Sequence, residues 1–427
     1  EVDRSKLSPM MQQYMEIKDK YEDCIIFFRL GDFYEMFFDD AILTSRILEL
    51  TLTGKQAGLD ERVPMCGIPH HAYASYVDEL IDKGYKVAIC EQLEDPKETK
   101  GMVKRDVIQV VTKGTKIDSN IDAKSNNYIA NIYNFDYCYG ISFADITTGE
   151  INATLIEGDT DKVLKEISKL GVREVIVNDT IDREIVEKLR TNLECLVTIE
   201  KCELEDNDYS YVYKNIEDIR LIQTIKHLLY YIVETKKGDM HHIQECNIYK
   251  SSMYLEFDSN TKKNLELVET IRNRERQYSL LWLLDKCKTA MGSRYLKNTI
   301  LNPLTDKKEI EKRYDMVSLL STEFILRDDL IKSLSNVYDL ERLVGRITYG
   351  NLNAKDLLQL KTSLKELPTI SKILKELKYE KEIELDKKYG SITSGKNADL
   401  IVVNSDKDVP RVTLVFIDGS IQQQTIL

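Results

Sequence analysis

Several residue types and patterns are scarce in this chain of 427 residues. The eight cysteines are scattered, mostly inside apolar runs and without a CxxC pair, and there are only five histidines. Such spacing indicates reduced thiols in a protein core and argues against disulfides or a zinc site. No stretch approaches the roughly 18 consecutive apolar residues of a membrane span, and the first residues lack a secretion signal. We therefore expect a cytoplasmic chain without a metal or a membrane partner.

Positive charge is also in short supply. The chain has 60 Lys and Arg against 72 Asp and Glu, which gives a net charge of -12. This balance excludes a protein that holds nucleic acid by bulk electrostatics, so any DNA contact must be local. The best basic strip of the first third contains Lys97, Lys100, Lys104, Arg105, Lys113 and Lys116 against Glu98 and Asp106. A solvated loop explains this strip equally well.

The length of 427 residues exceeds one ordinary core and suggests about three domains. Alternating strand-like and helical runs predict an α/β domain at residues 1–116. A hairpin signal around Thr147–Gly149, followed by a helix and a strand, predicts a second α/β unit at residues 117–240. Apolar residues three to four apart predict a helical unit at 241–384, and a short β segment follows at 385–427. The predicted fold class is therefore a multidomain α/β plus α protein.

The stretch GDFYEMF, residues 31–37, is the most informative part of the chain. It follows the apolar run Cys24–Leu30, which predicts a buried strand. We predict a turn at Gly31 and a helix from Phe33 to Leu50, with the Phe33 ring near the surface. A capping box, in which Glu35 bonds back to the start of this helix, is an alternative that needs no function.

A second stretch, PMCGIPHH from Pro64 to His71, contains two prolines and a glycine. We predict that it is an irregular loop. Several motifs then occur in a fixed order, namely SPMMQQY at 8–14, GDFYEMF, PMCGIPHH, AICEQ at 88–92 and TKGT at 112–115. Together they resemble the mismatch-recognition domain of the MutS family of DNA repair proteins.

The resemblance implies roles for particular residues. Phe33 would enter the minor groove and stack on a mispaired base, and Glu35 would hydrogen-bond that base, either as an ionised acceptor or as a protonated donor. The partner would be double-stranded DNA with mismatches or small loops. Weaker supporting contacts to DNA are implied for Arg105, Lys104, Pro64, Met65, Gly67 and His70.

The later units are also similar to MutS domains. Residues 117–240 resemble the connector domain, which has a ribonuclease-H-like fold, and the helices resemble the core or lever domain. The full-length family binds ATP and magnesium, forms a homodimer and acts with a MutL-type repair protein. Because the resemblance stops near residue 384, before a clamp or a nucleotide-binding domain, we expect a truncated, non-enzymatic chain without a cofactor, in which dimerisation is doubtful.

The last residues resemble a different family. GSITSGKNADLIVV, residues 390–403, is similar to the C-terminal end of amidohydrolases such as N-acetylglucosamine-6-phosphate deacetylase. Gly390, Gly395 and Lys396 imitate a phosphate-binding loop, but Asn397 occupies the Ser/Thr position and a strand-like run follows, so we reject that interpretation.

Two classes of function follow. We favour binding of mispaired DNA. The alternative is a hydrolase, either a metal-dependent nuclease that uses Asp145 of the connector or a remnant amidohydrolase formed by the tail. Dependence on a metal ion discriminates between the two classes.

Overall fold

The computed structural model describes residues 4–94, 103–115, 122–158, 160–205, 208–250, 253–255, 259–348, 352–377, 400–406, 409–417 and 420–424. After a 3-10 turn at Arg4–Lys6, the first unit contains α1 (Pro9–Lys20), β1 (Cys24–Leu30), β2 (Phe33–Phe37), α2 (Phe38–Ile47), β3 (Thr53–Lys55), β4 (Val63–Pro69), a 3-10 turn (His70–Ala72), α3 (Tyr73–Asp82), β5 (Lys86–Gln92) and β6 (Arg105–Val111). The strands form one sheet in the order β3-β4-β2-β1-β5-β6, in which only β1 and β5 are parallel neighbours. The predicted α/β character of this unit is confirmed.

Helices cover both faces of the first sheet. On one face, Tyr14 of α1 packs edge-on against Phe28 of β1 and Phe37 of β2. On the other face, α2 and α3 bury a second cluster that contains Phe27 and Met36. Successive strand residues point to opposite faces, so this double burial explains the continuous apolar run of β1.

The predicted helix from Phe33 is wrong in its first turn. Residues Phe33–Phe37 form strand β2, and the helix begins only at Phe38, whose φ is 51°. Burial alternates at the start of β2, where Phe33 is exposed, Tyr34 is buried and Glu35 is partly exposed. This period of two, together with a tight turn at Gly31 (φ 57°), favours a hairpin with β1 over a helix. The capping-box interpretation is therefore also wrong, because Glu35 lies in the middle of a strand.

The predicted loop at Pro64–His71 is wrong as well, since most of it forms strand β4. The ladder between β2 and β4 runs from the Phe33–Pro69 pair to the Phe37–Met65 pair. Pro64 lies just outside this ladder and is paired only with Gly54 of edge strand β3, and Pro69 lies at the last position of the β2–β4 ladder. Prolines are tolerated where a strand need not donate a hydrogen bond, so the two prolines mark the ends of β4 and do not break it.

The second unit contains β7 (Tyr128–Asn134), β8 (Tyr139–Asp145), β9 (Glu150–Ile156), α4 (Thr160–Leu170), β10 (Glu174–Val177), α5 (Arg183–Thr191), β11 (Leu196–Ile199), a 3-10 turn (Ser210–Val212), α6 (Ile219–Lys236) and β12 (Asn247–Ile248). Its sheet has the order β11-β10-β7-β8-β9-β12. Strands β7 to β9 form an antiparallel meander, and β10 and β11 add in parallel. Helix α6 packs on one face, whereas α4 and α5 pack on the other. The predicted hairpin, helix and strand are confirmed.

The first and second units are joined by a buried polar contact. The backbone N–H of Gly114 donates to Glu174 Oε2 at 2.8 Å, and Tyr231 Oη donates to Glu174 Oε1 at 2.6 Å. Lys236 Nζ donates to the carbonyl oxygen of Thr115. A Cβ atom at Gly114 would lie 2.8 Å from Ile129 Cβ, so only glycine permits this approach. The turn after β6 is thereby anchored on β10 and α6.

The Lys236 ammonium makes this contact sensitive to pH. Burial lowers the pKa of Lys236 from 10.5 to about 7. The unfolded chain therefore binds more protons than the folded chain between these values, so the Lys236 contribution makes the free energy of unfolding rise with pH. We expect Lys236→Met to remove a slope of up to about 1.4 kcal/mol per pH unit between pH 7.5 and 9. Urea unfolding of both proteins across this range measures the difference.

The neighbouring Lys237 supplies the control for this experiment. Its ammonium is paired with Glu234 at 2.9 Å and remains 30% exposed. Because the pKa of Lys237 is raised, Lys237→Met is expected to leave the slope unchanged between pH 7.5 and 9. An unchanged slope in Lys236→Met would contradict the assignment of a displaced titration to Lys236.

The third unit is helical. Its elements are α7 (Ser259–Asn264), α8 (Leu280–Leu284), α9 (Ala290–Leu301), α10 (Lys307–Thr322), α11 (Phe324–Leu334), α12 (Leu340–Thr348) and α13 (Ala354–Glu376). Helices predominate among the described residues of 259–377, as the apolar spacing in this part of the chain predicts. More than half of the side chain is exposed in Tyr278, Leu283, Tyr295, Tyr314, Val317, Phe324, Ile325 and Leu358. Within the described ranges, no helix has the length and apolar character needed to cross a membrane.

The last strands are β13 (Leu400–Asp406), β14 (Val409–Ile417) and β15 (Ser420–Gln424), which form an antiparallel meander. The loop-like motif at residues 390–397 lies outside the described residues.

A buried arginine joins the second and third units. Arg294 in α9 is 4% exposed, and its Nη1 donates to Asp339 Oδ2 at 2.6 Å and to the carbonyl oxygen of Ala123 at 2.7 Å. Its Nη2 donates to Asp339 Oδ1 at 2.8 Å and to Glu341 Oε2 at 2.6 Å. Burial opposes the charge, but the hydrogen bonds to Asp339 and Glu341 prevail and raise the pKa of Arg294.

Candidate nucleic-acid interface

The turn between β1 and β2 presents the ring of Phe33. Phe33 is 48% exposed, although the other aromatic residues of its strand, Tyr34 and Phe37, are buried. The turn is held from outside by His70, whose backbone N–H donates to the carbonyl oxygen of Asp32 at 2.9 Å. His70 Nδ1 lies 3.0 Å from the same oxygen. A large apolar ring is thus fixed at the end of the first sheet, with one side open.

Strand register brings several predicted site residues onto one face of the sheet. Phe33 pairs with Pro69, Glu35 with Gly67, and Phe37 with Met65. Directly opposed residues of an antiparallel ladder share a face, so Phe33, Glu35, Met65 and Gly67 lie together. Pro64 alternates to the opposite face of β4.

Glu35 is an acid that shares this face of the sheet with Phe33. Its Oε2 accepts a hydrogen bond from Lys55 Nζ, and 16% of the Glu35 side chain is exposed. A Cβ atom at Gly67 would lie 3.5 Å from Glu35 Cγ. Gly67 therefore lies within van der Waals reach of the Glu35 side chain.

Arg105 has a different environment from the one that a phosphate ligand needs. It is 9% exposed, and Nε donates to the carbonyl oxygen of Arg29 at 2.8 Å. Nη1 donates to the carbonyl oxygen of Val103 at 3.1 Å and to Gln13 Oε1 at 3.2 Å. The guanidinium carbon lies 5.1 Å from the ring centroid of Phe28, and burial lowers the pKa of Arg105. Arg105 thus links β6 to β1 and α1 by hydrogen bonds within the first unit. Its contact with DNA stays a prediction.

The rest of the basic strip is only partly described. Lys104 is exposed, and its backbone N–H donates to Glu94 Oε2 at 3.3 Å. Lys113 is half-buried. Three further members, Lys97, Lys100 and Lys116, lie outside the described residues.

Sequence reasoning missed two polar contacts beside the candidate interface. One is Lys55, which the sequence places in a polar segment without a motif. The other lies on the opposite face, where Tyr34 donates to Glu91 and Arg29 Nη1 lies 3.3 Å from the same carboxylate. Burial and this acid raise the pKa of Tyr34. If GDFYEMF had been predicted as a strand, the alternation of its side chains would have placed Tyr34 on the face opposite to Phe33 and Glu35.

Asp145, the residue of the nuclease alternative, is fully buried. Its Oδ1 accepts from the backbone N–H and the hydroxyl of Thr147 at 2.9 and 2.6 Å. Its Oδ2 accepts from Asn127 N at 3.1 Å and from Asn126 Nδ2 at 3.2 Å. The carboxylate therefore organises the turn between β8 and β9. Among the described residues, no three His, Cys, Asp or Glu side chains are grouped so that they could hold a metal ion.

Comparison with known proteins agrees with this arrangement. The family models for MutS domain I, MutS domain II and MutS domain III match residues 8–120, 127–244 and 260–413. The three units of the fold are thus three consecutive MutS domains. The chain belongs to the MutS family. The domain III match runs past residue 384, and the resemblance of the tail to amidohydrolases stays a prediction.

Individual relatives carry the name DNA mismatch repair protein MutS. The chain is 46% identical over 368 residues to that of Listeria innocua, which is 86% of this chain and 43% of the relative. It is 45% identical over 383 residues to that of Listeria monocytogenes, at 89% and 44% coverage. The protein of Bacillus mycoides is 43% identical over 368 residues, at 86% and 41% coverage. The chain therefore spans less than half the length of these curated relatives. None of these matches supports the hydrolase alternative.

Proposed function

We propose that this chain binds mispaired or unpaired bases in duplex DNA, with the ring of Phe33 as the inserting group. The observation that carries the proposal is the 48% exposure of Phe33 at the end of a rigid, doubly covered sheet. An apolar ring that enters the minor groove unstacks one base step and kinks the duplex. The backbone that carries the ring must be rigid, because the kinked DNA is stable only while the ring stays inserted.

Deformability explains why a mismatch would be preferred. A mispaired step is already poorly stacked, so opening it costs less than opening a paired step. Glu35 lies on the same face as Phe33 and would exchange a hydrogen bond with the displaced base. The ring would then supply affinity, while the carboxyl group would orient the base.

The proposal also covers the fold of the second unit, the protein partner and the absence of catalysis. For the second unit we propose a ribonuclease-H-like fold, supported by the meander β7–β9 and the parallel addition of β10 and β11. A MutL-type repair protein is the proposed protein partner. The proposed role is binding without catalysis, and no step of it involves ATP or magnesium.

Competition between duplexes tests the function. The wild-type chain should bind a duplex with one G·T mispair roughly 5- to 150-fold more tightly than its fully paired control, the range that one stacked base supplies. A duplex with one unpaired base should behave like the mispaired one. Salt must be low, because few phosphate contacts are available to this acidic chain. Equal affinities for a folded wild-type protein would refute the function.

Glu35→Ala should separate the two roles of the interface. The variant loses the hydrogen bond to the base, so binding of the mispaired duplex should fall by roughly 5- to 10-fold. It also removes a negative charge that faces phosphates, so binding of the paired duplex should hold or rise. Competition binding with both duplexes measures the two changes.

Glu22→Ala is the matched control, since Glu22 is an exposed acid just before β1, at the opposite end of the sheet. It changes the net charge equally and should leave the ratio of affinities unchanged. If both variants shifted the ratio alike, net charge alone would explain the Glu35 effect.

A further inference from the structure

A lysine on the edge strand of the first sheet contacts the acid of the candidate interface. Lys55 ends β3, where it pairs with Val63, yet its Nζ donates to Glu35 two strands away. The side chains of Lys55 and Glu35 are 29% and 16% exposed. The ammonium also lies 5.6 Å from the ring centroid of Phe37. Two residues of β2 thus hold this cation on the face that presents Phe33.

The position of this ion pair has an electrostatic consequence. A carboxylate that faces DNA repels phosphates, and Lys55 cancels that repulsion. Screening by salt is weaker for a partly buried pair than for an exposed one, so the cancellation should persist in solution. The same contact occupies Oε2 of Glu35. A base that hydrogen-bonds to this oxygen must therefore compete with Lys55.

We propose that Lys55 is a specificity-determining residue. Lys55 neutralises the Glu35 carboxylate while the protein holds paired DNA, and a displaced base takes the place of Lys55 at this carboxylate when the protein holds a mispair. This inference rests on the proposed function of Phe33 and Glu35. In paired DNA the bases remain stacked and bonded to each other, so the ion pair is kept. At a mispair the displaced base replaces Lys55, whose ammonium becomes available to a phosphate. Lys55 thus controls how readily Glu35 engages a base.

Lys55→Met tests this role, because methionine keeps an unbranched apolar side chain beside the Phe37 ring. With Glu35 present, affinity for paired DNA should fall about 3- to 10-fold, since a cation is lost and an acid is left uncompensated. Affinity for the G·T duplex should fall less, because Glu35 no longer has to leave Lys55. The preference for the mispair should therefore rise roughly 3-fold. Lys55→Arg keeps the charge and should keep the wild-type preference.

The same change in a Glu35→Gln background gives the decisive comparison. There, Lys55→Met should lower both affinities equally and leave the preference unchanged. If Lys55 were an independent phosphate ligand, the losses would be equal in both backgrounds, and the proposal would be overturned. The pair of Glu79 in α3 and Lys83, the residue that follows this helix, is joined at 2.9 Å and about half exposed. It is the control cycle and should show no coupling in DNA binding.

Urea unfolding of the same four proteins shows whether the ion pair exists without DNA. A coupling between Lys55→Met and Glu35→Gln in the free energy of unfolding is expected, and its absence would overturn the proposal. Failure of the function is distinguishable from failure of this inference. A wild-type protein without a G·T preference refutes both, whereas a preference without coupling to Lys55 refutes only the role of Lys55.

Discussion

Phe33→Ala is expected to abolish most of the preference for a mispaired duplex. Loss of one base-stacking ring should cost about 1–3 kcal/mol in binding to the mispair, a roughly 5- to 150-fold loss of affinity. Affinity for paired DNA should change little, because the ring has no open step to enter there. Competition between a G·T duplex and its paired control measures the ratio directly.

Stability should be nearly unaffected by this substitution, since Phe33 is about half exposed and begins its strand. Ile108→Ala is the matched control: Ile108 is 44% exposed on edge strand β6 of the same sheet. It removes a comparable apolar surface and should keep the preference. A Phe33→Ala protein that is folded and still discriminates as well as the wild type would show that another group inserts into the duplex.

Arg294→Met is expected to cause the largest loss of stability among single substitutions at the junction of the second and third units. Removing the guanidinium leaves Asp339, whose side chain is 15% exposed, without its buried partner. Breaking such a pair on one side typically costs about 3–5 kcal/mol. The loss should lie toward the lower value, because Glu341 is 40% exposed and water screens it. Urea unfolding, followed by circular dichroism, measures the change.

Two further variants make this test specific. Arg327→Met removes an exposed arginine of α11, whose Nη1 donates to the carbonyl oxygen of Leu320 at 3.3 Å, and it should change stability by less than about 0.5 kcal/mol. Arg294→Lys keeps the charge but loses the two-pronged contact with Asp339, so it should lie between the wild type and Arg294→Met. Equal stability of the Met variants at 294 and 327 would mean that the buried cluster around Arg294 does not stabilise the protein.

Much of the fold was predictable from local patterns. The apolar run Cys24–Leu30 indicated a buried strand, and the Thr147–Gly149 turn indicated the β8–β9 hairpin. Three-to-four spacing of apolar residues indicated the helices of the third unit, such as α13. In each case neighbours in the sequence carry the signal, because helix and strand periods are properties of a continuous segment.

Errors arose where two structures fit the same local pattern. Together with residues 38–48, the apolar residues of GDFYEMF have the spacing of one face of a helix. Nevertheless, residues Phe33–Phe37 form a strand. The deciding interaction is the ladder with Pro69 to Met65, about thirty residues away, together with the hairpin to β1. Tertiary pairing overrides weak local preference in such short segments.

The sequence by itself determined the family, the three-unit order and the identity of Phe33 and Glu35 as candidate site residues, because these follow from contiguous motifs. Only the tertiary structure decided that Lys55 pairs with Glu35, that Arg105 is buried over Phe28, and that Glu174 and Lys236 anchor the turn at Gly114. Each of these contacts joins residues 20 or more positions apart. Their energies depend on burial and on strand register, and both quantities exist only once distant segments have packed together.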